Sequence, residues 1–324
     1  MNNDTAEQVM TVDEALAEVM TDAIPAEQAE SEKKTKKQKK PKKEKEFRRV
    51  KTISPMAMIV PYIMKNRTGA MNMISDRVNV AKMDRYIKEK QAQGFRNMTY
   101  MHVIIAAYVR LVSQRPALNR FIRGQRIYTR RNVEVALTIK KEMSLDSPDT
   151  VVKVLIPPDA TIDDVYNTLD RVVTEYRANP GGDFDNTAKV LSYVPGLLLT
   201  FAIDTLRAMD YFGLIPSFLT GVSPFHCSYF ITSMGSLGIP SIFHHLYDFG
   251  TCPVFCAFGT KQRVNEVDLD GNVTQQKYID VNFVLDERIC DGYYFASALK
   301  MLKNILKNPQ ALDNPPAEVI PDIP

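Results

Sequence analysis

The sequence predicts a single α/β (α+β) domain with helices and strands interspersed along the chain. Three observations point there. Helix-period apolar stripes recur through the first two thirds, and β-branched runs bounded by turn residues crowd the last third. Hydrophobic residues make up 45% of the chain against 24% charged, enough for a sizeable core. The globular part is expected over residues 48–310, between a charged tail of residues 1–47 and a short C-terminal tail of residues 311–324.

Residues 76–93 read as an amphipathic helix, with Val78, Val80, Met83 and Ile87 as apolar positions and Gly94 as the stop. Residues 99–114 are nearly apolar throughout. That predicts a buried helix ending at Arg115-Pro116, because a residue before proline avoids the helical region. Residues 125–138 and 151–156 are strand-like. The helix over 161–178 has the clearest start, with Thr161 as N-cap and Asp164 three residues on as a weaker capping box. Val165, Leu169, Val172, Val173 and Tyr176 form its core stripe, and Asn179-Pro180-Gly181-Gly182 closes it. A more hydrophobic helix is expected over 187–212, where Asp204 and Arg207 favour burial or a protein partner over lipid. Strands follow at 227–233, 253–258 and 261–268, and Asp270-Gly271 marks a hairpin turn into 274–285. The last helix begins after Gly292, buries Phe295, Leu299, Leu302 and Leu306, and ends at Asn308-Pro309. Residues 315–324 read as a loose tail.

A net charge of +3 hides an asymmetry. Residues 1–32 carry nine Asp or Glu and no Lys or Arg, whereas residues 33–49 carry eleven Lys or Arg against two Glu. Such a tail has too little apolar surface to offset its ordering entropy, so disorder is expected. No aromatic residue interleaves the Lys run before Phe47, so a base-stacking platform is missing and nucleic acid is not an expected partner. The longest apolar run, residues 194–203, falls short of the about 20 residues a spanning helix needs. No basic segment followed by an apolar one opens the chain, and a cytoplasmic protein without a membrane span is expected. Cys227, Cys252, Cys256 and Cys290 show no Cys-x-x-Cys spacing and are expected as reduced core thiols, with no metal bound.

Four stretches carry a resemblance. Residues 99–107, Thr-Tyr-Met-His-Val-Ile-Ile-Ala-Ala, precede the turn Arg115-Pro116-Ala117-Leu118-Asn119. Residues 230–238 read Phe-Ile-Thr-Ser-Met-Gly-Ser-Leu-Gly, and an apolar strand follows over 253–259. Asp286-Glu287-Arg288-Ile289-Cys290-Asp291-Gly292 then leads into the last helix. In order and spacing, over about residues 55–310, these resemble the catalytic domain of the dihydrolipoamide acyltransferases and chloramphenicol acetyltransferases, whose signature is His-x-x-x-Asp-Gly. The resemblance implies a mixed sheet flanked by helices, assembly as a homo-trimer or as trimers of higher order, and active sites at subunit interfaces. It also implies coenzyme A (CoA) as co-substrate and a small-molecule or carrier-bound acyl acceptor. No lipoyl or peripheral-subunit-binding domain is recognisable, so a place in a classical 2-oxoacid dehydrogenase complex is not expected.

The signature His takes a proton from the attacking thiol or hydroxyl in that family; here Glu287 occupies its position. By the same resemblance Thr232 is the oxyanion donor, with Ser233 as alternate, and Asp291 forms a structural salt bridge. In water a Glu titrates near 4.3 and a thiol near 8.5, a mismatch of roughly 6 kcal/mol at about 1.36 per unit. Burial can raise a carboxyl group toward 7. Three readings follow: Glu287 works as the base, His244 or His245 on the loop between matched segments replaces it, or the site is silent and the protein is an oligomeric scaffold or ligand-binding protein. His102 is expected as a core histidine, His226 has no evident partner, and Cys290 occupies a small packing position.

Overall fold

The computed structural model describes residues 46–140, 149–178 and 193–324. In chain order its strands are β1 (Phe47–Arg49), β2 (Met71–Asn79), β3 (Arg120–Arg123), β4 (Arg126–Arg130), β5 (Val133–Lys140), β6 (Asp149–Ile156), β7 (Tyr229–Ser233), β8 (Val254–Val267) and β9 (Val273–Asp286). The α-helices are α1 (Pro55–Ile63), α2 (Ala81–Ala92), α3 (Tyr100–Gln114), α4 (Ile162–Ala178), α5 (Gly196–Phe212), α6 (Ser217–Val222) and α7 (Gly292–Lys307).

Six strands pair in the order β2-β9-β8-β7-β5-β6, and β1-β4-β3 make a small second sheet. In the large sheet β7 runs parallel to both β5 and β8 while the other pairs are antiparallel, so the sheet is mixed. Side chains alternate across a strand, and here the two faces have different fates. Val135 and Leu137 of β5, Tyr229 and Ile231 of β7, Val254 and Cys256 of β8, and Phe283 and Leu285 of β9 pack into the main core. That core is completed by α2, α3, α4 and α7, including Met83, Ile104, Leu169 and Leu302. The intervening residues Ala136, Phe230, Phe255 and Val284 form a smaller cluster on the other face, joined by Leu246, Cys227 and Cys252 from the loops around it. Among the described residues no α-helix residue contributes to that cluster.

Local chemistry explains the helix starts. Thr161 and Asp164 cap each other, Thr161 N–H donating to Asp164 Oδ2 at 2.9 Å and Asp164 N–H to Thr161 Oγ1 at 3.3 Å. At α3 the capping box is closed by His102, whose Nδ1 lies 3.2 Å from the Thr99 amide it accepts from. His102 is therefore both a cap and a largely buried side chain, its ring 5.2 Å from that of Tyr166.

Several expectations are corrected. Residues 76–79 are strand, not helix: Val78 lies on β2 and Val80 precedes α2. The strand-like stretch 125–138 is two strands separated at Arg131-Asn132, which belong to different sheets. The two strands expected over 253–268 are one, with a register shift between Phe258 and Lys261 that bends β8. Gly259 at this bend lets Ser241 approach, since a Cβ there would sit 2.4 Å from the Ser241 nitrogen. The C-terminal stretch is tied down: Arg120 holds the Asp322 carboxylate at 2.6 Å, Ile320 N–H donates to Ser113 O, and Lys51 and Thr52 donate to Pro324 O. The charged tail (apart from Glu46 and Phe47), the 179–182 helix stop and residues 187–192 of the expected helix lie outside the described residues.

Candidate active site

The signature begins where β9 ends. Asp286 is fully buried and accepts from Arg288 Nε and Nη2, both at 2.7 Å, and from the Arg288 amide at 3.2 Å. Arg67 Nε faces the same carboxylate at 3.4 Å without hydrogen-bond geometry. The two guanidinium groups spend their other donors on backbone. Arg288 Nη1 reaches Met64 O at 3.0 Å and Lys65 O at 3.1 Å, while Arg67 donates to Tyr247 O and to Gly250 O, the latter at 2.9 Å. One buried carboxylate thus joins three segments: the end of α1, the loop before β8 and the signature. Gly250 is suited to this role by its φ of +87°, and a Cβ there would meet Phe225 O at 2.3 Å.

Glu287 stands between these buried residues but does not share their network. Its amide donates to Ala70 O at 2.9 Å, which pins the backbone beside β2. The side chain is half-buried, and no described residue hydrogen-bonds or ion-pairs with its carboxylate. Asp291 caps α7 instead of forming a salt bridge, accepting from Tyr294 N–H at 2.8 Å. The ion pair expected of Asp291 is made by Asp286, which the strand end turns inward.

Thr232 lies in the row Ser75–Asn282–Ala257–Thr232 that crosses the sheet from β2 to β7. By alternation it shares a face with Phe230 and Phe255 of the smaller cluster, and Ser75 Oγ donates to Asn282 Oδ1 in the same row at 2.7 Å. Asn282 could not be singled out from sequence, because only strand register places it there. Ser233 alternates to the other face and is used locally: its carbonyl accepts from Ser236 Oγ at 2.8 Å. Within one chain Glu287 and Thr232 do not meet. The register puts Thr232 level with Asn282, two strand spacings across and at least four residues along from the end of β9. That is roughly 16 Å to Asp286, at about 3.3 Å per residue and about 4.8 Å per strand, with Glu287 one residue beyond.

The loop histidines stack. His244 lies on Phe255 with ring centroids 4.1 Å apart and on His245 at 4.6 Å, and its Nδ1 is 2.9 Å from His245 O. Burial pushes the His244 pKa below its ordinary value, so it is a neutral aromatic plate more than a charged group. His226 has partners that sequence did not reveal: Asp210 Oδ2 at 3.3 Å from its Nε2 and Ser223 Oγ at 2.8 Å from its Nδ1. Cys290 is largely buried, and burial pushes its thiol up to about 12. All four cysteines are free, and Cys227, Cys252 and Cys256 are buried. Among the described residues no three His, Cys, Asp or Glu side chains converge as metal ligands, and no helix is long and apolar enough to cross a membrane.

No family model and no curated protein matches the chain. Solved structures do. A truncated catalytic core of the 2-oxoacid dehydrogenase multienzyme complex from Thermoplasma acidophilum is 14% identical with a TM-score of 0.50, covering 81% of this chain and 99% of that one. A probable dihydrolipoamide acetyltransferase from Listeria monocytogenes 4b F2365 is 13% identical with a TM-score of 0.49, covering 79% and 93%. A chloramphenicol acetyltransferase is 11% identical with a TM-score of 0.47, covering 78% and 94%. At such identities the likeness is one of architecture: the chain has an α/β fold, a mixed sheet flanked by helices, like that of the Thermoplasma acidophilum catalytic core.

Proposed function

We propose that the chain is a CoA-dependent acyltransferase that works as a homo-trimer, with Glu287 of one protomer and Thr232 of the partner subunit closing one site. Glu287 takes the proton from the acceptor thiol or hydroxyl as that atom attacks the thioester carbonyl of acyl-CoA. Thr232 of the partner subunit donates its hydroxyl to the oxyanion that forms. Collapse of the tetrahedral adduct breaks the carbon–sulfur bond, and the departing CoA thiolate recovers the proton from Glu287.

The observation that carries this reading is the division of labour in the signature. Among the described residues, Arg67 and Arg288 beside the signature are both committed to Asp286. The Glu287 carboxylate is left without a described counter-ion. The intra-chain separation from Thr232 supports a site shared between protomers.

The test is CoA release and acyl-product mass measurement with acetyl-CoA and, as acceptors, dihydrolipoamide and chloramphenicol. Wild-type turnover that falls at least about a hundredfold in Glu287→Gln supports the base, in line with the usual worth of general-base catalysis. Equal turnover in that variant removes Glu287 from the mechanism. Tight CoA binding with no turnover on either acceptor favours the scaffold or ligand-binding reading.

A further inference from the structure

Helix α5 is turned inside out, since Asp210 is its one buried residue. Polar contacts hold it to its own chain. Asp210 faces Arg123 Nε at 3.2 Å and His226 Nε2 at 3.3 Å, and Tyr211 Oη donates to Gln125 Oε1 at 2.9 Å. Leu199, Ile203, Leu206 and Met209 on the inward side are half-buried. The outward side is apolar as well. Leu197, Leu198, Phe201 and Phe212 fall within one sector at about 100° per residue, with Thr205 and Ala208 between them. The Thr205 hydroxyl folds back onto Phe201 O at 2.8 Å. Leu214 and Phe218 follow just beyond the helix, and these six Leu and Phe residues are 60–89% exposed. A helix apolar on all sides belongs in a buried setting. The exposed apolar surface, roughly 700 Å², exceeds the about 300–600 Å² of the largest patch on a typical monomer. It approaches the about 800 Å² that each partner gives to a stable interface.

We propose that this face packs on the same face of a second copy of the chain, helix against antiparallel helix across a two-fold axis. The charge pattern selects that partner. Asp204 and Arg207, 3.0 Å apart and each 59% exposed, edge the apolar face near the middle of the helix. A two-fold axis between residues 205 and 206 sets Asp204 level with Arg207 of the partner subunit, and the reverse, so the charges are self-complementary. The same register brings Phe212 beside Leu198 of the partner subunit. Thr205 and Ala208, the small residues of the face, then lie nearest the axis, where the backbones come closest. Lipid fits the face less well. Arg207 is the one Lys or Arg of α5 against Asp204 and Asp210, so the helix lacks the cationic rim of a membrane-surface helix. Asp204 would also be carried toward the hydrocarbon, which is costly. A two-fold contact is one that a threefold ring cannot make within itself, so it adds to the proposed homo-trimer without depending on it.

Sedimentation equilibrium of the full chain, wild type beside Phe201→Glu, tests this contact. The variant should lose the two-fold association by about thirtyfold or more, the worth of a central interface aromatic. A fall from a larger particle to a trimer supports this contact together with the homo-trimer. A fall from dimer to monomer supports this contact and removes the homo-trimer, so the two readings fail separately. A second variant needs no disruption: Thr205→Cys, beside the axis, should form a disulfide-linked dimer on oxidation with copper phenanthroline. Thr200→Cys, about 8 Å along the helix from the axis at about 1.5 Å per residue, should not. If Phe201→Glu fails to fold by circular dichroism, the cross-link decides alone. Equal masses for wild type and a folded Phe201→Glu protein overturn the proposal, as does a Thr205→Cys protein that gives no linked dimer. Flotation of wild type with phosphatidylglycerol vesicles, abolished by Phe201→Glu at unchanged mass, overturns it in favour of lipid.

Discussion

Asp286→Asn changes one atom's chemistry and none of the packing volume. Asp286 is 0% exposed, and the side chains of its two partners, Arg67 and Arg288, are 4% and 2% exposed. The amide of Asn cannot neutralise either guanidinium, and its NH2 turns a donor toward donors. Breaking a buried pair by removing one partner costs about 3–5 kcal/mol, against a total stability of about 5–15 kcal/mol for most domains. The loss should thus be roughly a fifth or more of the whole. The assay is urea unfolding by circular dichroism at one fixed protein concentration, since assembly shifts apparent stability. A double change, Asp286→Leu with Arg288→Met, should be milder than Asp286→Asn, because it removes charge from both sides of the bidentate pair. A cost below about 1 kcal/mol for Asp286→Asn, typical of exposed pairs, would refute the claim that this carboxylate organises the loop.

Three further changes read other parts of the account. Thr232→Val should lower kcat about a hundredfold or more with little change in KM, measured by CoA release, because an oxyanion donor acts in the transition state. Gly250→Ala should cost about 2 kcal/mol or more in the same urea titration, combining left-handed backbone strain with displacement of Phe225 O and of the carbonyl that anchors Arg67. His102 is lowered to about 4 by burial, from an ordinary value of 6.5. The unfolded chain therefore binds more protons between these values, and stability falls as pH drops from 6.5 to 4, by up to about 3 kcal/mol. His102→Gln, which keeps an acceptor for Thr99 N–H, should flatten that part of the pH–stability curve; an unchanged curve would show that His102 is not the responsible group.

What sequence revealed and what it hid divide along a physical line. The helices α3, α4 and α7 are legible because their signals are local: a continuous apolar run, a Thr-x-x-Asp cap, and a stripe at helical spacing. β2 escaped because its strand pattern, half-exposed with few large apolar side chains, runs directly into a helix whose periodicity absorbed Val78 and Val80. The site divides the same way. Glu287, Thr232 and Asp291 can be named from a motif, but which acid takes the arginines depends on where β9 ends, and Asp286 rather than Asp291 is turned inward. The His226–Asp210 contact joins the end of α5 to a loop beyond α6, and no local spacing announces it. Conversely, His244 and His245 invite attention as a pair, whereas stacking on Phe255 accounts for one of them.

The claim that most needs testing is that the site is assembled from two chains. Glu287→Gln and Thr232→Val proteins, each slowed about a hundredfold or more alone, should recover a substantial fraction of wild-type CoA release when unfolded together and refolded as mixed oligomers, since some interfaces then pair an intact Glu287 with an intact Thr232. Mixed oligomers that form yet stay as inactive as either parent, beside an active wild-type control refolded in the same way, would contradict it.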